Sequence, residues 1–165
     1  MPRIRAWMPI FILVLAVCPG GGRSEDKKDP PKLELSDDEK MLLELTNKER
    51  ADKKLPPLEA NPVLFKVARA HAANMAKQGK MEHELDGKSP ADRIRAAGYE
   101  YAYIAENIAV GARMSPAAVV KAWMESQVHR ENILNDKCTE IGIGVVKNDK
   151  GETYYTQEFG APKKK

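Results

Sequence analysis

From Ile141 onward the chain changes character. Ile141, Ile143, Val145 and Val146 are β-branched, Asn148-Asp149-Lys150-Gly151 supplies turn residues, and Thr153 to Phe159 (TYYTQEF) resumes the β-prone pattern. Such side chains fit a pleated surface and lose rotamer freedom in a helix, so this stretch predicts a β-hairpin. Most of what precedes it has apolar residues at helical spacing between recognisable start and stop signals. Helices first and a hairpin last, in segregated order, restrict the chain to an α+β architecture.

Four helices are predicted. Ser36-Asp37-Asp38-Glu39 is a capping box opening a helix over about 37–53, with Met41, Leu42, Leu45 and Thr46 as its inward stripe. Leu55-Pro56-Pro57-Leu58 interrupts it. Asn61-Pro62 starts the second helix, whose buried face is Val63, Phe65, Val67, Ala68, Ala72 and Met75 and which stops at Gly79. Ser89-Pro90-Ala91-Asp92 caps a short third helix with Ile94 and Ala97 inward and Gly98 as its stop. Ser115-Pro116 opens a fourth that carries Val119, Val120, Trp123 and Val128 and runs unbroken to about Leu134. Tyr101 to Val110 is a candidate further strand.

The N-terminus reads as an export signal. Arg3 and Arg5 precede a twelve-residue apolar run, Ala6 to Val17, which is short for a membrane span and right for a secretory segment. Leu15-Ala16-Val17-Cys18 resembles a lipobox, in which Cys18 would be acylated and tether the mature chain to a membrane. Residues 1–22 are therefore read as signal peptide, 23–35 as a disordered linker rich in charge, Gly and Pro, 36–160 as the domain and 161–165 as a basic tail. Taking away Arg3 and Arg5 lowers the net charge from +3 to +1, and the remaining excess sits in the Lys163-Lys164-Lys165 tail. A basic end is not a basic face, so no nucleic-acid partner is expected. With Cys18 processed, Cys138 has no partner, and the domain must rely on its core rather than on disulfides.

Three phrases carry the chemistry: Met81-Glu82-His83, Ala105-Glu106-Asn107-Ile108-Ala109, and Trp123 through Leu134 (WMESQVHRENIL). Two histidines and a carboxylate brought together by folding can hold a divalent metal or move a proton. His83-Glu84 is not a zincin motif, since residue 87 is Gly, and no Gly-x-Ser-x-Gly nucleophile sequence is present. Ser126 and His129, three apart on one helix, project from the same face and make a poor Ser–His catalytic pair. His71 and Trp123 read as packing residues, and Cys138 as a half-buried structural cysteine. Asn107 and Asn132 read as hydrogen-bonding supports, and Arg130 as the partner of a neighbouring acid.

These phrases, with Gly142-Ile143-Gly144-Val145, strongly resemble the CAP superfamily: cysteine-rich secretory proteins, antigen 5 and plant pathogenesis-related 1 proteins, also called the SCP domain. Leu43-Glu44-Leu45-Thr46-Asn47 and Leu55-Pro56-Pro57-Leu58 resemble its short, disulfide-free bacterial branch. The resemblance spans about residues 37–160. It implies an α-β-α sandwich with a central, mainly antiparallel sheet, and a cleft lined by two histidines and two acids. His83 and Glu106 match the first histidine and first acid. His129, thirteen residues before Gly142, matches the second histidine. Ser126 stands at the fourth position, where eukaryotic members have glutamate, and this departure weakens the transfer of metal-dependent activity. What the resemblance implies is an exported domain at the cell envelope or outside the cell that binds a lipid, glycan or peptide in its cleft. The alternative is a zinc-assisted hydrolase of an envelope or extracellular polymer, with His83 and His129 as the metal ligands.

Overall fold

The computed structural model describes residues 33–163, and the expected signal peptide, the Cys18 tether, most of the linker and the last two lysines of the tail lie outside them. Five helices and four strands occur among the described residues, in the order α1 (Asp37–Asp52), β1 (Glu59–Ala60), α2 (Pro62–Gln78), α3 (Pro90–Ala96), β2 (Tyr101–Ala112), α4 (Pro116–Glu125), α5 (Gln127–Ile133), β3 (Glu140–Lys147) and β4 (Glu152–Pro162). The start signals operate as their chemistry requires. Ser36 and Ser89 form reciprocal capping boxes with Glu39 and Asp92, Asn61 accepts from the N–H groups of Val63 and Leu64, and Ser115 accepts from Ala118. Gly79 closes α2 in the left-handed conformation, with φ of 64°.

The strands form one sheet in the order β1-β3-β4-β2. The expected hairpin is β3–β4, and the candidate strand is β2, antiparallel to β4 along the edge of the sheet. The two-residue β1 pairs in parallel with β3 and was missed, because Glu59-Ala60 carries no strand signal.

Strand alternation splits the core between two faces. Ile141, Ile143, Tyr155 and Phe159 pack with Leu42, Val119, Val120, Trp123 and Ile133 on the side of α1, α4 and α5. The opposite face meets α2. There Gly142 and Gly144 let the helix backbone lie directly on β3, since a Cβ on Gly142 would fall 2.0 Å from the carbonyl carbon of Leu64. The result is an α-β-α sandwich, as expected.

Three local expectations are corrected. Met41 is 47% exposed, and the inward face of α1 is instead Glu39, Leu42, Thr46 and Arg50. The predicted fourth helix is two helices: Ser126 has extended backbone (φ −85°, ψ 125°), ends α4 and begins α5, so Ser126 and His129 do not share one continuous helix. That break turns Val128 outward, 67% exposed. Cys138 is fully rather than half buried.

Candidate functional site

Glu106 is the centre of the constellation. It lies on the edge strand β2 directly opposite Glu158 of β4, so both carboxyl groups leave the same face of the sheet, the face beneath α2. The next residue, Asn107, necessarily points the other way. Its amide donates to the carbonyl of His129 (3.1 Å) and to Gln157 Oε1 (3.2 Å), while Asn132 donates to Asn107 Oδ1 (2.9 Å) and to the carbonyl of Glu106 (3.2 Å). Gln157 reaches on to Thr46 of α1 at 2.8 Å. This buried amide chain fastens α5 and His129 to the edge strand.

His83 sits in the loop between α2 and α3. Its Nδ1 is 2.7 Å from Glu106 Oε1, while about half of its side chain remains exposed at 53%. Arg93, from α3, completes the carboxylate. Its Nη2 is 2.5 Å from Glu106 Oε2 and 3.7 Å from Glu158 Oε1, and its Nη1 donates to the carbonyls of His83 (2.8 Å) and Lys88 (3.0 Å). One guanidinium thus holds both the acid and the loop that carries the histidine. His71, buried on α2, places Nε2 3.7 Å from Glu106 Oε2.

The environment separates the two acids. Burial works against the charge of Glu106, but hydrogen bonds from His83 and Glu158 and the charge of Arg93 hold its pKa below the ordinary carboxyl value. Burial, then the adjacent Glu106 charge, drives Glu158 well above that value. Burial also lowers His71 and His129, and in His129 the nearby His83 adds to the effect.

The expected residues divide as follows. His83 and Glu106 are in direct contact, Asn107 holds the carbonyl of His129, and Asn107 and Asn132 link their elements. Ser126 serves as the backbone joint before His129, with no side-chain capping bond. Arg130 has no acidic partner among the described residues; its Nη1 donates 2.8 Å to the carbonyl of Met124, closing the α4–α5 joint. Three members were missed. Glu158 was hidden in a strand pattern, Arg93 on a short helix, and His71 counted only as packing. Even spacing along the hairpin did put Glu158 on the same sheet face as Gly142, its register partner across from β3. The residue facing it from β2 depended on a register that no local signal sets.

The sequence and the fold both have known relatives. The family model for the cysteine-rich secretory protein family, CAP, matches residues 43–159. The uncharacterized protein YkwD of Bacillus subtilis is 41% identical over 122 residues, covering 73% of this chain and 46% of its own. The uncharacterized membrane protein YlbC of the same organism is 34% identical over 73% of this chain and 34% of its own length, so the matched region is less than half of either relative. Among solved structures, an outer surface protein of Borrelia burgdorferi superposes with a TM-score of 0.74 at 27% identity, over 79% of this chain and 97% of that one. The SCP domain of an extracellular protein from Bacillus anthracis superposes at 0.69 and 27% identity, over 75% of this chain and 40% of that one. By sequence, by fold and by the extent of the match, the chain belongs to the CAP, or cysteine-rich secretory protein, family.

Proposed function

We propose that this is an exported ligand-binding module that takes a lipid, glycan or peptide at the cell envelope, in a cleft formed by His83, Glu106, Ser126 and His129. The carrying observation is the pairing of His83 with Glu106 and what surrounds it in the chain. His83 is fixed by Glu106 yet half exposed, and two of the three exposed large apolar side chains among the described residues, Met81 and Val128, lie within two positions of His83 and His129 in the chain. A polar anchor flanked by exposed apolar side chains suits a small ligand with an apolar body and a few hydrogen-bonding groups. The extracellular and outer-surface descriptions of two solved relatives support the placement, together with the signal-like N-terminus.

Nucleophilic hydrolysis has less support. The Cys138 thiol is buried and pushed up to about 11 by that burial, and the Ser126 side chain makes no capping bond and meets no base among the described residues. One feature favours zinc: a histidine whose Nδ1 meets a carboxylate presents Nε2 as a ligand. The donor set is nevertheless short of a zinc centre. Glu106 is committed to His83 and Arg93, and no group of three or more His, Cys, Asp or Glu among the described residues is arranged to hold a metal.

The test is calorimetry on the full chain and on a His83→Ala/His129→Ala variant, titrating zinc, then fatty acids, peptidoglycan fragments and short peptides. Binding of one organic class by the parent and not by the variant is the expected outcome. Micromolar zinc binding with hydrolysis of any of these polymers would replace this reading with the metal hydrolase.

A further inference from the structure

One fixed cation faces two buried carboxyl groups at the heart of this site. The groups turned toward the pair are His71 from α2, His83 from the following loop, Arg93 from α3, Glu106 from β2 and Glu158 from β4, and β3 contributes only Gly142. Arg93 balances one negative charge, and two adjacent ionised carboxylates in a dry site would leave the other uncompensated. Geometry says which acid is the anion. Arg93 lies 2.5 Å from Glu106 but 3.7 Å from Glu158, and His83 adds a second close contact to Glu106 alone. Glu158 is fully buried, and as a carboxylate neither of its oxygens would have a hydrogen-bond partner among the described residues. As a carboxylic acid it has a donor to offer, with Glu106 as its cross-strand neighbour.

We infer that Glu158 is a positioning residue: it holds a proton, donates it in a hydrogen bond to Glu106, and so keeps Glu106 as the acceptor that orients His83. Glu106 then receives Nδ1–H of His83 and fixes the ring, with Nε2 on its far side. The inference deepens the ligand-binding reading and rests on it only for His83 being a ligand contact. It favours a ligand that brings a hydroxyl to Nε2 of His83. The arrangement of proton and ring is a property of the protein alone.

The test uses the full chain without ligand at neutral pH. Infrared difference spectra should show a protonated carboxyl band that Glu158→Gln removes. Long-range nitrogen–proton NMR spectra should show His83 with Nδ1 protonated and hydrogen-bonded. Glu158→Gln, which retains a donor, should keep that pattern, and Glu158→Leu should weaken or lose it. The inference is overturned if the band is absent, if it survives Glu158→Gln, or if Nδ1 of His83 carries no proton. Identical His83 spectra in the Gln and Leu variants would also overturn it. If the Leu variant does not fold, the infrared band and the Gln variant still decide. Failure to find a ligand by calorimetry would leave these spectra unchanged, so the two readings fail separately.

Discussion

At the scale of single residues, burial sets the chemistry of three ionisable groups in different ways. Cys138 is 1% exposed with its thiol held near 11, so thiolate reagents should leave the folded protein unlabelled and react only on unfolding. Mass spectrometry after iodoacetamide treatment, with and without denaturant, reads this directly, and rapid labelling of the native protein would contradict it. The acid pair makes stability depend on pH in two opposed limbs. Glu106 is ionised more easily in the fold than in the unfolded chain, so its contribution is lost as pH falls below about 4.5 toward its lowered folded value. Glu158 has the raised value: above 4.5 the folded protein retains a proton that the unfolded chain releases, and stability declines as pH rises through that window. Glu158→Gln should abolish the upper decline and leave the acid limb in place, as urea unfolding across a pH series would show.

At the scale of elements, the contact between α2 and β3 is the tightest constraint. Added Cβ atoms at Gly142 and Gly144 would lie 2.0 Å and 2.3 Å from helix backbone, which has no flexible end to move aside. Gly142→Ala should cost about 3 kcal/mol or more, while Ala at exposed positions should cost little; thermal unfolding distinguishes them. Arg50 makes a second constraint that its sequence position did not advertise. Buried on α1, it donates to the carbonyls of Pro56, Ile133, Asn135 and Cys138 and so gathers the ends of α1 and α5 and the approach to β3. Arg50→Leu should lose about 3 kcal/mol by orphaning those carbonyls, measured as a shift in urea midpoint. Element types and starts were legible because Ser-Pro, Asn-Pro and capping-box signals are local. The split at Ser126 was not, because Trp123 through Leu134 retains helical composition, and the break is made by long-range bonds from Asn107 and Asn132 and by Arg130 folding back onto Met124.

At the scale of the whole molecule, the α+β class and the central hairpin were legible from periodicity, and the sandwich arrangement only through the family resemblance. His83 and Glu106 were legible as a pair only through the family resemblance, since 23 residues separate them. Their supports, Arg93, His71 and Glu158, come from α3, α2 and β4 and depend on cross-strand register and helix placement. A helix boundary announces itself over four residues, whereas a buried ion cluster exists only once the layers are stacked. The joint at Ser126 also bears on how such a domain can diversify. The carbonyl of His129 is hooked to the edge strand by Asn107, and α5 is a separate seven-residue piece. In the helix before it, Pro116–Glu125, Val119, Val120 and Trp123 are bound to the core, so only its solvent-facing side is free to be resurfaced while the backbone of His129 keeps its address on the sheet.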